Sequence, residues 1–159
     1  AAKIGTEEYG LTVGIHAHAA GFIDFEPEIE RLLDEVDESY LKICFDTGHH
    51  SYAGFDPVSF MRRYIQRISY MHFKDIDPTV RAEVVSKQTD FYSACQQGIF
   101  CNLGEGDVDF KSVRKLLIES GFDGWCTVEQ DCDPEGKTSP LEDAKINRNF
   151  LESIGFKSN

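Results

Sequence analysis

The stretch LKICFDTGHHSYAGFDPVSFMRRYIQRISYMHFKD, residues 41–75, predicts a strand, a polar turn, a helix and a second strand. An apolar run, Ile43 to Phe45, makes the first strand, and Asp46 closes it. Asp56-Pro57 opens a helix that Val58 to Ile65 fills, because proline favours the first helical position. A strand-helix-strand unit of this kind is typical of a parallel sheet.

Residues that can bind a metal or a substrate follow both strands. Asp46 ends the first strand, and we expect Thr47-Gly48 to turn the chain so that His49 follows. In the second strand His72 and Lys74 have the same parity and share a face. Because α/β enzymes place their chemistry at the carboxyl ends of neighbouring parallel strands, these residues form a candidate site.

Each of these residues alone also has a structural explanation. An aspartate that closes a strand is often a turn former or a helix cap, and a lone histidine in a strand such as His72 is more often a core residue. Lys74 at a strand end is often only solvated. The functional interpretation depends on the recurrence of such residues at the other strand ends.

The repeat consists of four strand-helix units, which predict one α/β domain over residues 1–159. The strands lie near Leu11, Leu41, Ile68 and Gly124, the first of them covering Leu11 to His16. The helices after the first, third and fourth strands span Pro27 to Asp37, Phe110 to Glu119 and Leu141 to Ile154. Every strand ends in ligand-type residues: His16 and His18, Asp46 and His49, His72 and Lys74, Glu129 and Asp131.

The segment from Asp75 to Asp109 interrupts this pattern. Loops of this length without structure are uncommon, so we expect short helices near Val80 to Val85 and Asp90 to Gln96, or a functional role.

Composition limits the function. A chain of 159 residues that is 41% hydrophobic and 28% charged suits one globular domain. The net charge of -12 disfavours binding to nucleic acid or to an anionic membrane and fits an uncharged, small-molecule substrate. No apolar run approaches the ~20 residues of a membrane helix. The odd number of cysteines without a C-x-x-C pair predicts free thiols in the cytoplasm: Cys44, Cys95, Cys101, Cys126 and Cys132.

The strand-end residues have the chemistry of a metal site. One imidazole, two carboxylates and a fourth nitrogen or oxygen donor suit Mn²⁺, Co²⁺, Fe²⁺, Mg²⁺ or Zn²⁺, and the carboxylates favour Mn²⁺ or Mg²⁺. Such an ion polarises a ketone and a neighbouring hydroxyl. Glu129 or a nearby imidazole can then carry the proton, and Lys74 can hold a substrate oxygen.

Four segments resemble the xylose-isomerase-like (β/α)8 TIM barrel superfamily of sugar isomerases and epimerases: FDTGHHSYAGFDP (45–57), ISYMHFKD (68–75), LGEGDVDF (103–110) and GWCTVEQDCDP (124–134). The resemblance implies that Asp46, His72 and Glu129 bind a metal, Mn²⁺ or Co²⁺ first among the candidates. It also implies that His49 and Lys74 contact the substrate, with Arg81 a weaker candidate.

The chain departs from this family in two ways. Sugar epimerases of the superfamily carry a glutamate at the end of the fifth strand, whereas this chain has His16-Ala17-His18 there. The difference favours the dehydratase branch, which removes water from a cyclic keto-polyol of inositol breakdown, with His16, His18 or His49 protonating the leaving hydroxyl. It leaves open whether His16 touches the metal. A full barrel needs ~250 residues, so the chain resembles the C-terminal half.

Other functions remain open at this stage. A metal-dependent ketose isomerase or epimerase is the main alternative, and an inactive truncated barrel or non-catalytic scaffold is another. The endonuclease IV branch, which acts on DNA, would need more ligands and a basic groove. A half barrel also leaves the first and last strands unpaired, which predicts pairing with the missing N-terminal half or association with a second copy.

Overall fold

A four-stranded parallel sheet forms the centre of the computed structural model, which describes residues 1–131 and 139–157. The strands are β1 (Gly14–His16), β2 (Lys42–Asp46), β3 (Ile68–Phe73), β4 (Asp75–Ile76), β5 (Phe100–Cys101) and β6 (Trp125–Val128). Those of the parallel sheet lie in the order β1-β2-β3-β6, and β4 pairs antiparallel with β5 in a separate ribbon. The prediction of four parallel strands in sequential order is therefore confirmed.

Helices connect the strands. They are α1 (Ala2–Tyr9), α2 (Glu26–Glu35), α3 (Thr47–Tyr52), α4 (Pro57–Tyr64), α5 (Pro78–Lys87), α6 (Phe91–Gln96), α7 (Phe110–Ser120) and α8 (Pro140–Ser153). Several begin where the sequence predicts, because an aspartate side chain caps the first turn: Asp56 accepts from the Val58 N–H, and Asp109 from that of Ser112. No helix in the described ranges is long and apolar enough to cross a bilayer.

Strand parity separates the core from the site. Ile43, Phe45, Met71 and Phe73 lie on the outer face of β2 and β3 and are almost fully buried. They pack against the apolar faces of α2, α4 and α7 in one hydrophobic cluster. The other face of β2 and β3 carries the residues that alternate with these: Cys44, Asp46, Tyr70 and His72.

The chain between β3 and α7 forms a smaller lobe. Helices α5 and α6 and the β4-β5 ribbon enclose a second apolar cluster that includes Ile76, Ala94, Ile99 and Phe100. The two helices expected in this segment are present, and the ribbon was not predicted, since its strands have two residues each and no alternation to detect.

Two local predictions were wrong. Thr47-Gly48 does not form a turn, because Asp46 caps the helix α3 that starts directly at Thr47. The first strand is shorter than the expected Leu11 to His16: only Gly14–His16 joins the ladder, although the Lys42 N–H still donates to the Val13 carbonyl. Cys132 lies outside the described residues, whereas the other four cysteines are free thiols.

Asp75 fixes the smaller lobe to the sheet. Its buried carboxylate accepts hydrogen bonds from four backbone N–H groups, those of Ile76, Gly104, Gly106 and Val108, at 2.8–3.2 Å. Gly106 has no room for a side chain, because a Cβ there would lie 2.4 Å from Asp75 Oδ1. One carboxylate therefore organises the loop that precedes α7.

We expect Asp75→Asn to lower the free energy of unfolding by roughly 3 kcal/mol, since an amide NH₂ would face N–H donors that then lose their acceptor. Urea denaturation measures the loss. Asp107→Asn, on the exposed part of the same loop, is the matched control and should change stability by less than about 0.5 kcal/mol. Equal effects of the two substitutions would contradict the anchoring role of Asp75.

Candidate metal and catalytic site

Parallel pairing brings four strand ends to one edge of the sheet. Asp46 lies directly opposite His72 in the register of β2 and β3, and His16 lies opposite Cys44 in that of β1 and β2. Glu129 follows β6, and its N–H donates to the Phe73 carbonyl, which extends the β3-β6 ladder. The strand ends predicted from the sequence thus meet in space.

His16, Asp46, His72 and Glu129 form what we call the metal-ligand group. Each offers one atom, and these atoms lie within 4.8 Å of one another. Asp46 Oδ2 is 3.7 Å from His16 Nε2 and 3.5 Å from His72 Nδ1. His72 Nδ1 is also 2.6 Å from Glu129 Oε2, without the alignment of a hydrogen bond.

Three atoms of the metal-ligand group are buried without a hydrogen-bond partner: His16 Nε2, Asp46 Oδ2 and His72 Nδ1. Buried polar atoms normally have partners, so three that face one point indicate a place for a missing ligand. Two imidazole nitrogens and two carboxylates are a donor set for a divalent ion of the Mn²⁺ to Zn²⁺ range. The residues present therefore fit a metal.

Asp46 links the helix α3 to this group. Its Oδ1 accepts from the His49 N–H at 2.8 Å, which leaves Oδ2 for the metal-ligand group. Burial opposes ionisation, yet contacts with His16, His72 and the Lys74 ammonium outweigh it and lower the pKa of Asp46. The aspartate is thus held in its charged form, the form in which a carboxylate can bind a cation.

Lys74 is buried inside the site, with 1% of its surface exposed. Its Nζ lies 2.8 Å from each of Glu129 Oε1, Asp131 Oδ2 and His49 Nε2. Burial alone would lower the pKa of Lys74, but the neighbouring carboxylates, first Asp46 and then Asp131 and Glu129, raise it. The ammonium is therefore a fixed positive charge, and a solvated strand-end lysine is the wrong explanation for this residue.

The two residues that follow Asp46 position Lys74: Thr47 bonds its backbone, and Gly48 leaves space for its side chain. Thr47 Oγ1 donates to the Lys74 carbonyl at 2.7 Å and accepts from the Lys74 N–H at 3.0 Å. A Cβ on Gly48 would lie 2.4 Å from Lys74 Cγ, so only glycine lets the lysine side chain pass. In the sequence, the Thr47-Gly48 pair directly after Asp46 is the signal for both roles, although the pair by itself predicts a turn.

His49 is an uncharged imidazole at the base of the site. Burial lowers its pKa to about 3, since nearby Asp46 only partly offsets the desolvation and Lys74 lowers the pKa further. Its Nε2 accepts a hydrogen bond from Lys74, so Nδ1 carries the proton and has no partner of its own. With a pKa that low, His49 neither supplies nor takes up a proton near neutral pH.

His18 lies beside His49, with their ring centroids 3.7 Å apart. Its Nδ1 faces the Ala19 carbonyl at 2.7 Å, which fixes the Nδ1–H tautomer of the neutral ring and leaves Nε2 as an acceptor. His18, His49 and Asp131 form a second group of ligand-type atoms within 4.8 Å, but the Lys74 ammonium already contacts two of its three members. The side chains of Phe91 and Phe100 close this side of the site.

The structure brings together eight residues singled out in the sequence: His16, His18, Asp46, His49, His72, Lys74, Glu129 and Asp131. Arg81 lies in α5 with its guanidinium close to Gly54, and among the described residues we find no hydrogen bond or ion pair that joins it to the eight. Its assignment as a substrate contact stays a prediction.

Comparisons with known proteins agree with this fold. The model of the xylose isomerase-like TIM barrel family matches residues 2–154. An inosose dehydratase of Geobacillus kaustophilus (strain HTA426) is 34% identical over 148 residues, which cover 93% of this chain and 48% of the relative. The chain spans about half the length of the curated relatives it matches, as expected for a half barrel.

Solved structures show the same fold at low sequence identity. The probable 3-DHS dehydratase AsbF of Bacillus anthracis, involved in petrobactin synthesis, has a TM-score of 0.68 at 21% identity and matches 95% of this chain and 52% of its own. An IOLI protein that binds a zinc atom has a TM-score of 0.65 at 16% identity, with 94% and 50% covered. Since the family model matches nearly the whole chain, the chain belongs to the xylose isomerase-like TIM barrel family.

Proposed function

We propose that the complete protein is a metal-dependent hydro-lyase that removes water from a cyclic keto-polyol of the 2-keto-myo-inositol type, in inositol catabolism. The observation that carries the metal-dependent part is the convergence of His16, Asp46, His72 and Glu129, with three buried atoms left without partners. The substrate class is supported by relatives named inosose dehydratase at 34% and 35% identity.

The metal-ligand group would hold the ion. Asp46, His72 and Glu129 are the proposed ligands, and His16 is the proposed fourth, because its Nε2 lies 3.7 Å from Asp46 Oδ2. A divalent ion bound there supplies a Lewis acid next to the substrate carbonyl. We propose Mn²⁺ or Co²⁺, which the family resemblance puts first, and of these two the carboxylates favour Mn²⁺. Zinc, as in the IOLI structure, is the next candidate, followed by Mg²⁺ and Fe²⁺.

The chain's own residues account for the proton transfers. In the elimination a C–H bond next to the ketone breaks and its proton moves to a base, while the C–O bond one carbon further breaks and its oxygen leaves as water. Glu129 is the proposed base. Neutral His49 keeps its hydrogen bond with Lys74 and is proposed to contact the substrate. His18 is the proposed donor to the leaving hydroxyl in its doubly protonated form, because the Ala19 carbonyl holds the Nδ1–H and the proton on Nε2 is then the one to be transferred.

Lys74 is proposed to stabilise negative charge that develops on the substrate oxygen. Its three N–H groups face His49, Glu129 and Asp131, so a substrate oxygen would exchange with one of these acceptors. Asp131 and Glu129 are the partly exposed acceptors and His49 the buried one. Exchange at a carboxylate therefore requires no rearrangement of the buried imidazole.

A ketose isomerase or epimerase is the second candidate. Solved sugar isomerases and epimerases share the fold, and Asp131 places a further carboxylate beside Glu129. An epimerase must return a proton to carbon from the opposite face, whereas the end of β1 offers His16 in place of a carboxylate. An inactive half barrel is the remaining alternative.

The free thiols Cys44, Cys95, Cys101 and Cys126 support the reducing cytoplasm as the proposed location of the protein.

We expect His72→Ala to weaken Mn²⁺ and Zn²⁺ binding by at least about tenfold and to lower activity in parallel, because the substitution removes a ligand. Isothermal titration calorimetry measures the affinity. The control is His50→Gln, since His50 is a buried histidine that bonds Glu26 outside the metal-ligand group. Unchanged metal stoichiometry and affinity in His72→Ala would rule out the assignment.

A neutral, buried His49 predicts a specific pH dependence. The unfolded chain protonates this imidazole below about pH 6.5, whereas the folded chain does so only near pH 3, so His49 makes the fold lose stability as the pH falls below 6.5. Between pH 6.5 and 5 the loss amounts to about 2 kcal/mol. In His49→Gln this part of the loss should disappear, as measured by urea denaturation at several pH values. Identical pH profiles would contradict a neutral His49.

The reaction is tested on a full-length barrel that contains this chain, supplied with Mn²⁺ or Co²⁺. We expect 2-keto-myo-inositol to yield a dehydrated dione, followed by its absorbance, and His18→Gln to lower kcat by roughly 100-fold, as loss of a proton donor does. Ketohexoses serve as the comparison substrates. Epimer formation without dione would replace the dehydratase with the epimerase, and the absence of both products would favour the inactive alternative.

A further inference from the structure

Cys44 contacts the metal-ligand group at His72, on the ring nitrogen that faces away from the other three ligands. It precedes Asp46 by two residues on the inner face of β2, and its Sγ lies 3.6 Å from His72 Nε2. The other nitrogen of the same ring, Nδ1, faces Asp46 Oδ2 and Glu129 Oε2. The imidazole therefore presents one nitrogen to the proposed metal and the other to a thiol.

The proton of His72 has only one place to reside when the ring binds a cation. A nitrogen that donates its lone pair to a metal carries no hydrogen, so Nδ1 is bare and Nε2 holds the proton. That Nε2–H points at the Cys44 sulfur, which is a weak hydrogen-bond acceptor. Metal-bound histidines generally donate their second N–H to a nearby acceptor, most often a carboxylate, a backbone carbonyl or water, and this bond fixes the ring and its tautomer.

The surroundings of His72 leave this role to Cys44. Tyr70 contacts the ring edge-to-face at 5.5 Å between centroids, and its hydroxyl is directed to Thr127. His16 approaches the ring at 4.6 Å between centroids and offers its Nε2 to Asp46. Among the described residues, Cys44 is the one that contacts His72 Nε2 within hydrogen-bond distance.

We infer that Cys44 is a positioning residue that holds His72 in the Nε2–H tautomer, with Nδ1 directed at the metal. The inference rests on the metal site of the proposed function and adds to it a residue outside the ligand set. Cys126 on β6 is a suitable comparison, because it lies on the other face of the sheet from Cys44 and packs against the hydrophobic core. If Cys44 only filled space, its substitution would have the same effect as that of Cys126.

The test compares Cys44→Ala, Cys44→Ser and Cys126→Ala in the purified protein. Calorimetric titration with Zn²⁺ and Mn²⁺ gives the affinity, and the visible spectrum of bound Co²⁺ reports the geometry of its ligands. We expect Cys44→Ala to weaken binding by about tenfold and to change the Co²⁺ spectrum, because an unrestrained ring samples other orientations. Cys44→Ser keeps a hydroxyl acceptor and should recover part of the affinity, and Cys126→Ala should match the wild type.

The outcomes separate this inference from the proposed function. Wild-type affinity and an unchanged Co²⁺ spectrum in Cys44→Ala would overturn the role of Cys44 while leaving the metal site intact. Equal weakening by Cys44→Ala and Cys126→Ala, with unchanged spectra, would also overturn it, since loosened packing would then explain both. Failure of the wild type to bind any of the three ions would overturn the metal site itself and this role with it.

Discussion

The parallel pairing of β2 with β3 is the constraint on which the site depends. Its register places Asp46 opposite His72, so that a carboxylate and an imidazole meet at the sheet edge. The same pairing brings Thr47 to the backbone of Lys74 and Gly48 against its side chain, which directs the ammonium inward. A shift of one residue would move all these groups to the helix-covered face, where Ile43, Phe45, Met71 and Phe73 form the core.

Charge balance explains why this arrangement suits a divalent ion. Asp46, Glu129 and Asp131 contribute three carboxylates around one ammonium, Lys74. With His49 neutral, the buried region keeps an excess of negative charge. Lys74 bonds Glu129 Oε1 and Asp131 Oδ2, whereas Asp46 Oδ2 and His72 Nδ1 have no hydrogen-bond partner. The lysine thus satisfies one side of the cluster, and the other side is where the proposed divalent ion would balance the carboxylates.

Much of this was predictable from the sequence, because strand parity and strand ends are local patterns. The alternation in ISYMHFKD placed His72 and Lys74 on one face, and the apolar run before Asp46 placed its carboxylate at the sheet edge. The burial of Lys74 was not predictable, since its partners come from residues far along the chain, such as Glu129. The start of α3 at Thr47 was missed for a related reason: an aspartate that ends a strand gives the same signal whether it begins a turn or caps a helix.

The site is closed at its centre and open at its two sides. Asp46 and Lys74, from the inner strands, have fully buried side chains, whereas His16 and Glu129, from the outer strands, keep 29% and 30% of theirs exposed. Trp125 on β6 is 77% exposed, although it lies in the same sheet. A carboxylate in contact with water stabilises a cation less than a buried one, because the dielectric constant is higher there. The chain spans about half the length of the curated relatives it matches. In a closed barrel, strands beside β1 and β6 would cover His16 and Glu129 and would strengthen their interaction with the proposed ion.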